Sequence, residues 1–127
     1  MTRKKVELGS HGEDLAVEYL KNQGYDILER NFRSKSGEID IVAKDKDTLC
    51  FVEVRTRTSL DQGHPFETVS ETKRRKLFYT AMGYLNFKMK DVASKARFDV
   101  VAVMPAEEEG EYKIELLKNA FEADGYL

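Results

Sequence analysis

The chain has 127 residues, a length that predicts a single domain, spanning residues 1–127, with one compact core. Charged residues make up 35% of it and hydrophobic residues 41%, and no run approaches the roughly 18 consecutive apolar residues of a membrane helix, so no membrane partner is expected. The net charge of −2 does not exclude a nucleic-acid partner, because acidic residues concentrate around Glu107, Glu108 and Glu109 and leave a mildly basic body.

The chain begins with a basic segment, residues 1–9, that lacks the apolar run of an export signal. We expect this segment to be flexible and the protein to be cytoplasmic. A helix is predicted over about residues 10–23, because apolar residues recur at helical spacing between Leu15 and Leu20 and Gly24 can end it.

Three strands are predicted after this helix, over residues 25–32, 38–43 and 48–56. Their short connections favour an antiparallel meander, and the third strand should be central because it is the most apolar. The only cysteine, Cys50, lies in this third strand, which excludes a disulfide framework and favours a buried, inert thiol in a reducing compartment.

A second helix is predicted to begin at Ser70 or Thr72, either of which can cap it. Two more strands follow over residues 98–103 and 112–117, and the segment between them is expected to be flexible at about residues 105–111. The predicted order is therefore α-β-β-β-α-β-β, an α/β fold with a mixed sheet flanked by helices.

Two acidic residues occupy unusual positions within apolar strands. Asp40 lies between Ile39 and Ile41, which alternation would place together on the opposite face, and Glu53 shares a face with Arg55. A carboxylate in a strand centre costs free energy unless it is compensated. If the two strands are neighbours, the carboxylates converge and suit Mg²⁺, which prefers oxygen ligands. A plain ion pair on a solvated sheet face explains the same pattern, and the residues alone leave both interpretations open.

Basic residues cluster at the start of the second helix. Lys73, Arg74 and Lys76 belong to the densest basic run, where cations oppose the helix macrodipole. Phosphate contacts would explain this cost, and Arg33 and Arg57 could extend the patch. A solvated helix face is the alternative.

The segments of residues 37–40 (Gly-Glu-Ile-Asp) and 51–57 (Phe-Val-Glu-Val-Arg-Thr-Arg) resemble the PD-(D/E)xK nuclease pattern. Over about residues 9–103 the chain resembles the YraN-like uncharacterised bacterial family, which is similar to Holliday-junction resolvases. The resemblance implies a restriction-endonuclease-like fold and a metal-dependent endonuclease that acts on DNA, including branched or structured DNA. A non-catalytic nucleic-acid or protein-binding module that retains the fold is the alternative, and a homodimer is expected only by analogy with resolvases.

The resemblance also implies roles for individual residues. Asp40 and Glu53 would be the ligands of Mg²⁺ or Mn²⁺, and Glu13 on the first helix would complete the acidic site. Arg55 stands where the superfamily usually has lysine; because arginine stays protonated, it can bind the scissile phosphate but cannot act as a base. Lys73 resembles the basic position that faces the DNA backbone.

Overall fold

A computed structural model describes residues 2–57, 70–88, 95–108 and 110–121 of the chain, with side chains described for residues 11–57, 70–86, 95–108 and 110–120. The elements follow the predicted order: α1 (Thr2–Asn22), β1 (Asp26–Ser34), β2 (Gly37–Asp45), β3 (Thr48–Thr56), α2 (Glu71–Lys88), β4 (Lys95–Pro105) and β5 (Tyr112–Phe121). Neither α1 nor α2 has the length and apolarity needed to span a bilayer, judged on the described residues.

The five strands form one open mixed sheet in the spatial order β1-β2-β3-β4-β5. The first three strands pair antiparallel, β3 pairs parallel with β4, and β5 returns antiparallel to β4. A parallel pair needs a crossover connection, and α2 supplies it between β3 and β4. The predicted meander and the central position of β3 are therefore confirmed.

The sheet carries one helix on each face, and each helix closes a separate apolar cluster. Ala16, Val17 and Leu20 of α1 pack over one face. On the other face, Leu77 and Phe78 belong to the α2 cluster, whose remaining buried members are Ile39, Val42, Leu49, Phe51, Ala81, Tyr84 and Phe98. Burying both faces explains why β3 and β4 are almost continuously apolar.

The first helix begins at Thr2 rather than at about residue 10 as predicted. Arg, Lys, Glu and Leu in this segment all favour helix, so the apolar periodicity marked only the part of the helix that packs on the sheet. The flexibility expected for residues 1–9 and 105–111 stays a prediction.

The expected alternation along β2 is wrong at one point. Ile39 belongs to the cluster under α2, whereas Ile41 belongs to the cluster under α1, so the two side chains lie on opposite faces. The regular β2–β3 register ends at the pair Ile41 and Val52. Beyond it, the carboxylate of Asp40 accepts a hydrogen bond from the backbone N–H of Val54 at 2.8 Å. The change of face therefore coincides with the point where the regular pairing of β2 with β3 ends.

Candidate functional site

Two adjoining clefts open where β3 ends and α2 begins. Their volumes are about 550 and 670 Å³, and Asp40, Glu53, Ser70 and Lys73 line both of them. The carboxyl end of a strand at which the chain crosses over to a parallel neighbour is a common place for ligand sites in α/β proteins. The structure therefore brings the two predicted metal ligands into one cleft.

Asp40 is partly buried in this cleft, and burial raises its pKa to about 6. The hydrogen bond from the Val54 N–H acts in the opposite direction, because it stabilises the ionised form. The neighbouring carboxylates of Glu53, Glu13 and Glu38 raise the pKa further. The three neighbouring carboxylates thus disfavour ionisation of Asp40, an effect that a bound cation would offset.

Glu53 is buried at the centre of the sheet, with a side chain that is only 9% exposed. Its Oε1 forms an ion pair with Nζ of Lys73 from α2. Its Oε2 lies 4.0 Å from Nε of Arg55 and has no hydrogen-bond partner within the described part of the chain. Among the described residues, Oε2 is therefore the oxygen of this carboxylate whose hydrogen-bonding capacity is not used.

Glu13 approaches the same site from α1 and lines the larger cleft. Its Oε1 is buried, lies 3.7 Å from the Arg30 guanidinium and accepts no hydrogen bond from any residue the structure describes. The approach depends on Gly12, where an added Cβ would collide with the Thr56 hydroxyl at the end of β3. The missing side chain therefore allows α1 to bring Glu13 close to the strand end.

The predicted DNA-binding residues divide into two groups. Lys73 and Lys76 line the smaller cleft, and Arg57 lines the larger one together with Lys73. Arg33 and Arg74 are not among the described lining residues, and exposed Arg33 instead forms an ion pair with Glu38 at 3.1 Å.

Ser70 is a site residue that the sequence identified only as a helix cap. Its Oγ accepts a hydrogen bond from the backbone N–H of Lys73 at 3.2 Å, which resolves the choice between Ser70 and Thr72 in favour of Ser70. The cap fixes the first turn of α2 at the clefts. The sequence identified Ser70 as a possible cap because serine is a favoured residue at a helix start. A capping residue does not, however, reveal which part of the protein the helix start faces.

A divalent cation can be tested against these side chains. Within the described ranges, no group of three or more His, Cys, Asp and Glu side chains is arranged to hold a metal ion. Three carboxylates, those of Glu13, Asp40 and Glu53, nevertheless line the larger cleft. Glu53 Oε2 and Glu13 Oε1 are buried oxygens that accept no hydrogen bond from any described residue. Mg²⁺ is commonly held by one or two carboxylates, with waters and phosphate oxygens completing the octahedron. Asp40 and Glu53 fit that mode of binding.

Comparisons with known proteins identify relatives over most of the chain. Residues 12–103 match the model of the Uncharacterised protein family UPF0102. A UPF0102 protein of Clostridium botulinum strain Hall is 47% identical over 116 residues, which cover 91% of this chain and 94% of that protein. A UPF0102 protein of Chlorobaculum parvum is 47% identical over 118 residues, or 90% of this chain and 91% of the relative. The YraN-like family predicted from the motifs is confirmed.

Proposed function

This chain belongs to the UPF0102 family, and we propose that it is a metal-dependent endonuclease that hydrolyses phosphodiester bonds in DNA. The observation that carries the proposal is the convergence of Asp40 and Glu53 in a cleft whose walls also carry Arg55, Arg57 and Lys73. Carboxylates are suitable ligands for a divalent metal. The cationic side chains beside them can bind a phosphate through charge-assisted hydrogen bonds.

The proposed roles follow from where each side chain lies. Asp40 and Glu53 would hold Mg²⁺ or Mn²⁺, and Glu13 would add negative charge behind them. Such an ion, when bound, supplies Lewis-acid activation of water and neutralises charge on a phosphoryl oxygen. Arg55 lies beside Glu53 and donates hydrogen bonds to the scissile phosphate. Because its guanidinium stays protonated, Arg55 stabilises charge and takes no proton.

The cationic side chains around the clefts would seat the DNA backbone. Lys73, Lys76 and Arg57 lie at the clefts, and Arg33 and Arg74 would add contacts to the DNA backbone outside them. Contacts of this kind are dependent on salt and largely insensitive to base sequence. They therefore suit a nuclease that recognises the shape of its substrate, such as a branched DNA. The sequence predicts that the protein acts in the cytoplasm.

Metal binding and cleavage test the proposal together. Calorimetric titration of Mn²⁺ should detect binding by the wild type, no binding by Asp40→Asn, and unchanged binding by Asp26→Asn, an exposed aspartate on β1. Incubation of the same three proteins with a four-way DNA junction and a linear duplex should show Mn²⁺-dependent cleavage by the wild type and Asp26→Asn only. Absence of Mn²⁺ binding by the wild type would refute the proposal.

A non-catalytic DNA-binding module is the second candidate. The ion pair between Lys73 and Glu53 favours it, because an internal cation already neutralises one carboxylate oxygen of the site. Salt-dependent DNA binding that is unaffected by Mn²⁺, with no cleavage of either substrate, is the result that this alternative predicts.

A further inference from the structure

We propose that Lys73 is a catalytic residue of this site and contacts the attacking water, rather than serving only to hold the DNA backbone. The inference rests on the proposed nuclease function.

The first line of support is the position of the Lys73 side chain. Its Nζ forms an ion pair with Oε1 of Glu53, the carboxylate at the centre of the acidic site. The Ser70 cap accepts a hydrogen bond from the backbone of Lys73 itself and so fixes the point from which the side chain extends. The Lys73 ammonium is therefore held at the carboxylate of the acidic site as well as at the surface of the clefts.

The second line of support is the comparison with Arg55. The Arg55 side chain is 14% exposed, and its Nε remains 4.0 Å from Glu53 Oε2. The Lys73 side chain is 51% exposed while it contacts the other oxygen of the same carboxylate. Lys73 also lines both clefts, whereas Arg55 lines only the larger one. Of the two cations, Lys73 is the one that both touches Glu53 and remains open to an incoming substrate.

The chemistry of an ammonium group fits this position. It carries three hydrogen-bond donors, so Lys73 can keep one on Glu53 and direct the others at the water and at a phosphate oxygen. In the proposed step, the water oxygen forms a bond to phosphorus and the bond from phosphorus to the leaving sugar oxygen breaks. The attacking water releases its proton to solvent, and the leaving oxygen takes up a proton from solvent. Lys73 stabilises, through its hydrogen bonds, the negative charge that develops between these events.

The first test separates a rate effect from an affinity effect. Single-turnover cleavage with protein in saturating excess should slow about 10²- to 10³-fold in Lys73→Met, the usual cost of removing one charge-stabilising donor. The dissociation constant for DNA should change much less. Arg75→Met is the matched control, because Arg75 is exposed on the same helix and is paired with Glu71. A Lys73→Met variant with weakened DNA binding and an unchanged saturated rate would overturn the proposal.

The second test rebuilds the ammonium chemically. A Lys73→Cys variant alkylated with 2-bromoethylamine regains a primary amine at nearly the original length, whereas alkylation with iodoacetamide adds a neutral amide. The native Cys50 is buried, so the reagents should act at position 73. Recovery of the saturated rate with bromoethylamine alone is expected, and equal rates after both reagents would overturn the role of the ammonium.

A readout independent of cleavage accompanies both tests. Lys73 is not proposed as a metal ligand, so Lys73→Met should still bind Mn²⁺ in calorimetry, while Asp40→Asn should not. If the wild type binds no Mn²⁺ and cleaves no DNA, the proposed function itself fails. If the wild type cleaves and Lys73→Met keeps the wild-type saturated rate, only the assignment of Lys73 fails.

Discussion

Replacing Asp40 by Asn should make the protein more stable at neutral pH while removing metal binding. Asp40 is the partly buried carboxylate whose pKa burial raises to about 6, from an ordinary value of 3.8. An asparagine has nearly the same shape, and its amide oxygen can still accept the hydrogen bond from the Val54 N–H. The substitution therefore removes the cost of the buried charge and keeps the contact.

The sign and size of the effect follow from the raised pKa. Between about pH 4 and pH 6 the folded protein holds a proton that the unfolded chain has lost, so the stability of the wild type falls as pH rises through this interval. A difference of about two pKa units at about 1.4 kcal/mol each gives a destabilisation of about 3 kcal/mol above pH 6. Asp40→Asn avoids this cost, so its advantage should be about 3 kcal/mol near pH 7.5 and should disappear near pH 4.

Urea unfolding of the two proteins across this pH range measures the difference directly. Asp26→Asn, at an exposed position, is the matched control and should follow the wild-type curve. Saturating Mn²⁺ should close part of the gap near neutral pH, because a ligand at about 100 times its dissociation constant stabilises the folded state by about 2.7 kcal/mol. A difference between wild type and Asp40→Asn that is constant from pH 4 to 8, or an Asn variant less stable near pH 7.5, would refute the charge-burial argument.

Three further substitutions test other parts of the structure. Arg55→Ala should lower DNA affinity or cleavage about 10- to 100-fold, and Arg55→Lys should keep part of either. A lower melting temperature of Arg55→Ala with unchanged DNA binding would instead show that Arg55 forms a purely structural salt bridge. Arg97→Met should lower the free energy of unfolding in urea by about 3–5 kcal/mol, because it leaves the buried Asp99 carboxylate without its guanidinium partner at 3.0 Å. The same substitution should leave Mn²⁺ binding intact. Gly12→Ala should destabilise the fold by about 1–3 kcal/mol through collision with the Thr56 hydroxyl, and adding Thr56→Ala should restore most of the loss in a double-mutant cycle; additive losses would contradict the contact.

The sheet was largely predictable from sequence because its determinants are local. The apolar run of β3 and the short connections of the meander specify a central strand and its neighbours. The break in alternation at Asp40 was not predictable, because it coincides with a hydrogen bond to Val54, which lies on a different strand. The contact between Lys73 and Glu53 likewise depends on where the crossover helix docks. Glu13 was identifiable only through the family resemblance, since an acidic residue in a helix carries no local sign of a distant site.

Two buried acidic centres in the described part of the chain are built in opposite ways. Asp99 is saturated: its carboxylate accepts hydrogen bonds from Arg97, from the Tyr25 hydroxyl and from the backbone N–H of Asn119. Such an arrangement satisfies a buried charge and holds strands together.

The acidic centre at the end of β3 is incompletely satisfied. Asp40 lies where the regular pairing of β2 with β3 ends. Glu53 Oε2 and Glu13 Oε1 each accept no hydrogen bond from any described residue. Native sequences tolerate such local violations mainly where function requires them. These violations meet at one strand end, beside a helix start and a group of cations, so we infer that the unsatisfied oxygens are kept open for a ligand and that Asp99 belongs to the scaffold.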